Sequence, residues 1–494
     1  MGKVRKHSAQ NALWSYAGVA LGAFNALVLF PLAFPSTPED MGLLRWILSA
    51  SLLVGTFAHA GLPHTVVTYW SRTPEEQRPA LLGFTWGMSL LSTVILLLFL
   101  FFYGEVGLKF WIEQPVNTSS LLVLSALTFF YVLFELLASM AQAQHNVVWP
   151  QVLKDFGRKA WILLSLCAYI VWELPLEKLL YLMAFGHGLL TLWLAVLMGY
   201  RSPVSFSLSW SGLPKKSLMV YGGFMVLTAG AQVVMGQMDL LLIGKQLDLS
   251  QVAFYSIAFQ LGVVVAVPAK AMGYSLRPLI AEAWAKQDKK QLAEWVHRST
   301  QTQWVATAFL FFLLWSLWPA INTLLPPLYR QGPEVTLLIG LVQLIHVATG
   351  PSGLVLVSSH LFKWDFVTNA ALILLTAILA WVWLPMHGLV GMGYALLVAA
   401  LLYNGFKAYM TYRLLGIVPF TSQGKWLLFW AVVALAIQGI LGWALSSTPP
   451  FLHSSVAVGM QSSWFVLCLL YTPLSLDFKT LIHQVVERWL TRKP

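Results

Sequence analysis

Charge is what this sequence has least of. Only 10% of its 494 residues are Asp, Glu, Lys or Arg, whereas 58% are hydrophobic, and mean hydropathy is +0.72. A soluble domain of this size needs roughly a quarter charged residues to cover its surface. A water-soluble globular protein is therefore excluded, and a chain that faces lipid over most of its surface is implied. Cysteine is almost missing: Cys167 and Cys468 are the only two, both inside apolar runs. No disulfide framework, metal cluster or thiol nucleophile follows from them, and they read as small buried hydrophobes. Long polar segments are missing too. The longest expected outer loop, near 104–117, has about fourteen residues, too few for a separately folded domain. That weighs against a membrane glycan polymerase or ligase, which needs a sizeable outer loop for catalysis.

Acids are scarcer than bases, 19 against 30, for a net charge of +11. A nucleic-acid surface would place Lys and Arg on one continuous face with aromatics among them. Here the bases sit in short stretches between apolar runs, so no nucleic-acid partner is expected. Among the eleven histidines, His59, His64, His187, His346 and His360 lie within apolar runs and have no metal-ligand spacing, and no metal or cofactor is expected beyond a coupling Na+ or H+.

What the chain has in abundance is apolar length. A hydrocarbon core about 30 Å thick takes about 20 apolar residues at 1.5 Å each. Runs of that order fall at 11–34, 43–70, 80–103, 118–147, 160–173, 179–200, 218–243, 251–276, 300–322, 334–360, 366–385, 388–412, 426–446 and 453–476. The reading is an all-α polytopic membrane protein of about fourteen spans, its first run a retained helix with no cleavage site. The 23 Trp and 16 Tyr suit a chain with two membrane interfaces to populate. If the N-terminus is cytoplasmic, 23 Lys and Arg fall inside and four (Lys109, Lys178, Lys245, Arg330) outside, leaving Arg45, Lys270 and Lys407 within spans. That bias places both termini in the cytoplasm. The segments 278–298 and 477–490 are not spans. In the second, Phe478, Leu481, Ile482, Val485 and Trp489 recur at helical spacing, as in an amphipathic helix on the inner surface. The halves also look duplicated: a helix closing on Ala60-Gly61-Leu62-Pro63 has a counterpart closing on Ala271-Met272-Gly273, as in transporters built from two bundles.

Several motifs then appear in order along the chain. They are Asn11-Ala12-Leu13-Trp14-Ser15-Tyr16-Ala17-Gly18, Glu39-Asp40-Met41-Gly42-Leu43-Leu44-Arg45, and Val147-Val148-Trp149-Pro150-Gln151-Val152-Leu153 continuing to Arg158. Met238-Asp239-Leu240-Leu241-Leu242-Ile243-Gly244 through Ser256, and Leu384-Pro385-Met386-His387-Gly388-Leu389-Val390-Gly391, complete the set. Together they resemble the polysaccharide (O-antigen and exopolysaccharide) flippases of the multidrug/oligosaccharidyl-lipid/polysaccharide exporter superfamily. The resemblance implies two six-helix lobes around a central cavity (1–215 and 216–425), two further helices (426–476) and a cytoplasmic tail (477–494). It implies alternating access that moves an undecaprenyl-diphosphate-linked oligosaccharide across a bacterial inner membrane, driven by an ion gradient, with polysaccharide-assembly proteins as partners besides the lipids. A multidrug extruder on the same fold is the nearest alternative.

A charge at the centre of a span costs about 2.5–3.5 kcal/mol on insertion scales, so each calls for a reason. A diphosphate and its sugars require a wet groove with fixed positive charge. Arg45 and Lys270, at comparable places in the two halves, are candidates to line it, with snorkelling as the alternative; Lys407 reads as a snorkeller. Glu135 either pairs with a cavity base, carries a proton or is a neutral structural acid. His59 is a candidate for hydrogen bonding to sugar. The resemblance further implies a sodium site, to which Asp239 and Asn369 correspond, while Ile373 stands where relatives place a second acid.

Overall fold

A backbone in hydrocarbon must satisfy its own N–H and C=O groups, and long apolar runs do so as helices. The computed structural model describes residues 14, 17–111, 118–144, 146–201, 205–330, 333–358, 362–416 and 424–471. Among them there is no strand. Eight helices are long and apolar enough to span, four shorter ones are apolar, and each of the fourteen expected runs contains a helix. The expected tail helix at 477–490 lies outside the described residues, as does most of the first motif.

The chain divides into two compact units, Met1–Ser256 and Ile257–Pro494. The first holds α1 (Ala17–Ala33), α2 (Pro38–Ala58), α3 (Leu62–Trp70), α4 (Arg78–Trp111), α5 (Thr118–Ala143), α6 (Arg158–Val171), α7 (Leu176–Arg201) and α8 (Lys215–Gln246). Helix α5 is its hub, packed on α2, α3, α4 and α7, while α8 lies along α2 and α3. Phe134, Leu137, Ala141, Leu190 and Leu194 form the core there. The boundary falls inside α9 (Leu249–Val264). The second unit continues with α10 (Val267–Ala285), α11 (Lys289–Leu324), α12 (Glu334–Ala348), α13 (Ser352–Ser358), α14 (Phe362–Leu415), α15 (Gly424–Ala444) and α16 (Pro450–Tyr471). There α11 packs on α10, α12 and α16, and α12 on α14.

Helix α4 is apolar outward and carries a polar stripe inward. Leu91, Ile95, Leu98, Phe99 and Phe102 are exposed, whereas Thr85, Ser89 and Thr93, at four-residue spacing, are fully buried. That inversion is what a lipid-facing helix requires.

The close expected at Ala60-Gly61-Leu62-Pro63 is present: the run 43–70 is two helices, parted by Ala60 and Gly61 with φ of 51° and 68° and restarted with Pro63 in the first turn. Proline is suited to a first turn because it has no N–H to lose there. Three other expected boundaries change. The run 251–276 breaks at Val265–Ala266 ahead of Pro268, and Gly273, expected to close that helix, lies inside α10. The run 334–360 breaks at Thr349–Gly350–Pro351, where Gly350 has φ 59°. The segment 148–159, counted as a loop, is helical: Val148–Val152 leads through a π-turn, Leu153–Gly157, into α6. Its bases look like loop charge in the sequence, but Lys154 and Arg158 turn toward α5, onto Glu135 and Phe134. Gly388 (φ 58°, ψ −144°) kinks α14 where the Pro-x-x-Gly-x-x-Gly turn was expected.

Candidate functional site

The break between α2 and α3 creates the most polar part of the first unit. A helix end leaves carbonyls without i+4 donors. Here Ser89 Oγ donates to His59 O (3.0 Å) and Thr93 Oγ1 to Ala58 O (3.5 Å), so the buried stripe of α4 caps α2. His59, 4% exposed, accepts the Gly61 N–H on Nδ1 at 3.1 Å, which leaves the imidazole proton on Nε2. Its ring stacks on Tyr131 with centroids 6.4 Å apart, and the exposed His64 meets it edge-on at the same distance. Thr56 Oγ1 donates to Leu52 O, and Tyr131 OH stands 3.4 Å from that hydroxyl.

One turn along α5 from Tyr131 is Glu135. Lys154 Nζ donates to Glu135 Oε1 at 2.7 Å; the side chains are 42% and 17% exposed respectively. The guanidinium of Arg158 lies 4.5 Å from the Phe134 ring centre and 5.5 Å from that of Tyr131. Lys154 lies within the π-turn, a distortion found frequently at functional sites, and Arg158 directly follows it. One carboxylate, two cations, two imidazoles and a phenol thus share one face of the α5 neighbourhood. An anion with several oxygens could exchange places with Glu135 at the two cations.

Of the residues singled out in the sequence, His59 and Glu135 meet in this cluster. Arg45 does not: fourteen residues earlier on α2, it stands about 20 Å further along the helix. Its guanidinium carbon lies 4.2 Å from the Phe30 ring centre, and its buried Nε donates to no protein atom among the described residues. Cation–π contact compensates part of that burial. Lys270 belongs to the second unit, exposed in the first turn of α10. Asp239, 5% exposed on α8, accepts from Tyr255 OH (2.7 Å) and from Leu240 N (2.9 Å). Asn369 is in the second unit, where its Oδ1 accepts from Tyr403 OH at 2.7 Å. Lys407 is 6% exposed, its ammonium on Tyr403 rather than reaching out of the bundle.

Lys154 and Arg158 were missed as site residues. The signal was present in their four-residue spacing just after Trp149-Pro150, a helix start, but it was read as loop charge. His187 adjoins the cluster through α7, its Nδ1 2.9 Å from Met183 O; His360 lies outside the described residues. Among the described residues no three of His, Cys, Asp and Glu converge as a metal site would require.

No known family's sequence profile matches the chain, and no curated protein matches it. Solved structures do. A lipid II flippase, MurJ, in an inward closed conformation superposes with TM-score 0.71 at 14% identity, over 93% of this chain and 99% of that one. An inward-facing multidrug resistance MATE family transporter of the MOP superfamily gives 0.64 at 10% identity, over 82% and 94%. The Vibrio cholerae MATE transporter VcmN gives 0.54 at 14%, over 84% and 98%. The chain has the all-α polytopic membrane fold that these proteins share.

Proposed function

We propose that a chain with this fold is an alternating-access transporter that flips an undecaprenyl-diphosphate-linked oligosaccharide from the cytoplasmic to the outer leaflet of a bacterial inner membrane, for polysaccharide assembly. The observation that carries this reading is the sign of the charge held within the helices. Arg45, Lys154, Arg158, Lys159, Lys270 and Lys407 stand against Glu135, Asp155 and Asp239, and Glu135 is itself taken up by Lys154. A diphosphate crossing hydrocarbon needs that excess, because an unpaired anion there is prohibitively costly. The shared fold with a lipid II flippase over nearly the full length adds support. A multidrug extruder of cations would favour the opposite balance, with acids in excess. Arg45 in the first unit and Lys270 in the second are the cations proposed to meet the diphosphate.

The deciding experiment is complementation of a flippase deletion, scored by exported glycan. Arg45→Ala and Lys270→Ala should each cut export roughly 10- to 100-fold, the worth of one charge-assisted hydrogen bond to phosphate, at unchanged protein abundance. Full export by both variants would remove the cationic groove from the reading.

Orientation is tested separately. Reporter fusions after Gly244 and after Pro333 should read as external, and one after Lys290 as cytoplasmic. A cytoplasmic signal at Gly244 overturns the topology.

A further inference from the structure

The second unit contains a polar network that the cargo reading does not use. Asn404, 4% exposed on α14, donates through Nδ2 to Ala400 O (2.7 Å) and lies 2.9 Å from His346 Nδ1, while its Oδ1 accepts from Thr349 Oγ1 at 3.0 Å. Beside it, Tyr403 OH donates to Asn369 Oδ1, and the same phenol oxygen accepts from Lys407 Nζ at 2.5 Å. That ammonium also lies 4.4 Å from the centre of the Tyr403 ring. Three helical stretches, α12 and the two arms of α14, are joined by these contacts.

A buried lysine in a membrane helix calls for a reason. Tyr403 gives part of it, offering a lone pair and a ring face to one ammonium. The same geometry bears on the sodium ion implied at Asn369. A hard cation needs several oxygen ligands at short range. Here the Asn369 carboxamide oxygen already accepts from Tyr403, the phenol oxygen already accepts from an ammonium, and the Asn404 oxygen already accepts from Thr349. One turn beyond Asn369 on α14 comes Ile373, which offers only carbon. Among the described side chains, these oxygens are already engaged and one of them already holds a cation, so this donor set does not fit a sodium ion as a second one.

We propose that the Lys407 ammonium is the resident cation of the second unit, held at Tyr403, whose hydroxyl is in turn bonded to Asn369, and that it stands there in place of a sodium ion. Lysine and sodium compete for the same lone pairs, and the lysine is covalently tethered to the site, so its effective concentration there is very high. The positive charge is thus a permanent part of the lobe and moves with α14.

The test is thermal unfolding of the purified full-length protein in sodium chloride and in choline chloride at equal ionic strength. The melting temperature should agree within about 1 °C, whereas a site filled to about 100 times its Kd shifts it by several degrees. Saturable, sodium-specific stabilisation of the wild type that Asn369→Ala abolishes would overturn the proposal. A second readout uses glycan export: Lys407→Arg should keep most of it and Lys407→Met lose more than tenfold, and full export by Lys407→Met would equally refute a required resident cation. The melting measurement involves no substrate, so it stands or falls independently of the flippase reading.

Discussion

Gly61→Ala should destabilise the protein by about 3 kcal/mol or more, seen as a lower melting temperature and reduced abundance in the membrane. Gly61 sits at φ +68°, where an L side chain costs about 1–2 kcal/mol. A Cβ there would also be driven onto the backbone carbonyl of Gly222 in α8, which lies against the break. Backbone cannot yield as a side-chain tip can, so the two costs add. Gly405→Ala is the control. Nothing lies within 4 Å of its Cβ position inside α14, so the substitution should be neutral or stabilise by up to about 1 kcal/mol. Equal melting temperatures for Gly61→Ala and wild type would mean that α2 and α3 are not parted as described.

Reversing the charge of Glu135 should have an effect of similar size. Glu135→Lys leaves Lys154 without its acceptor and brings a third cation to Arg158. Removing one partner of a buried pair costs about 3–5 kcal/mol. Lys154 is 42% exposed, which lowers the expected loss to about 2–3 kcal/mol. The exchange Glu135→Lys with Lys154→Glu restores opposite charges and should recover at least half of it. Melting temperature and glycan export should recover together if the pair both holds α5 to the π-turn and sets the charge of the cluster. A double variant no better than Glu135→Lys alone would show that the two side chains do not pair.

Helices were legible in the sequence because hydropathy over twenty residues is a coarse quantity that survives local error. All the long runs became helices, and even the kink at Gly388 was marked by Pro385 and Gly391 beside it. Breaks inside apolar runs were legible only in part. Ala60-Gly61-Leu62-Pro63 marks the end of α2 in the sequence, whereas the breaks at Val265–Ala266 and Thr349–Gly350 lie inside runs that hydropathy reads as continuous. What holds α2 and α3 apart, the capping of Ala58 and His59 carbonyls by Thr93 and Ser89 some thirty residues away, belongs to the fold alone. The site divided in the same manner. Glu135 stood out because an acid in a span is costly, whereas Lys154 and Arg158 looked inexpensive at a presumed loop. Only the fold, by laying the π-turn against α5, turns them into its partners.

The first unit contains a second π-turn, Asn25–Leu29 in α1, and the two distorted helices are keyed to each other. Asn25 Nδ2 donates to Lys159 O at 2.8 Å, and Gly18 and Gly22 let α1 approach the backbone of Asp155 and the stem of Lys159. Smooth helices packed through small residues can slide past each other by a turn and find equivalent contacts. A bulge has no equivalent one turn away. A shift of about 5.4 Å would strand the Asn25 amide against a paired carbonyl and put the glycines under larger side chains. Any rocking of this unit therefore carries α1 and α6 as a single piece, with Lys154 and Arg158 riding on it, and leaves the relative motion to interfaces without such a key.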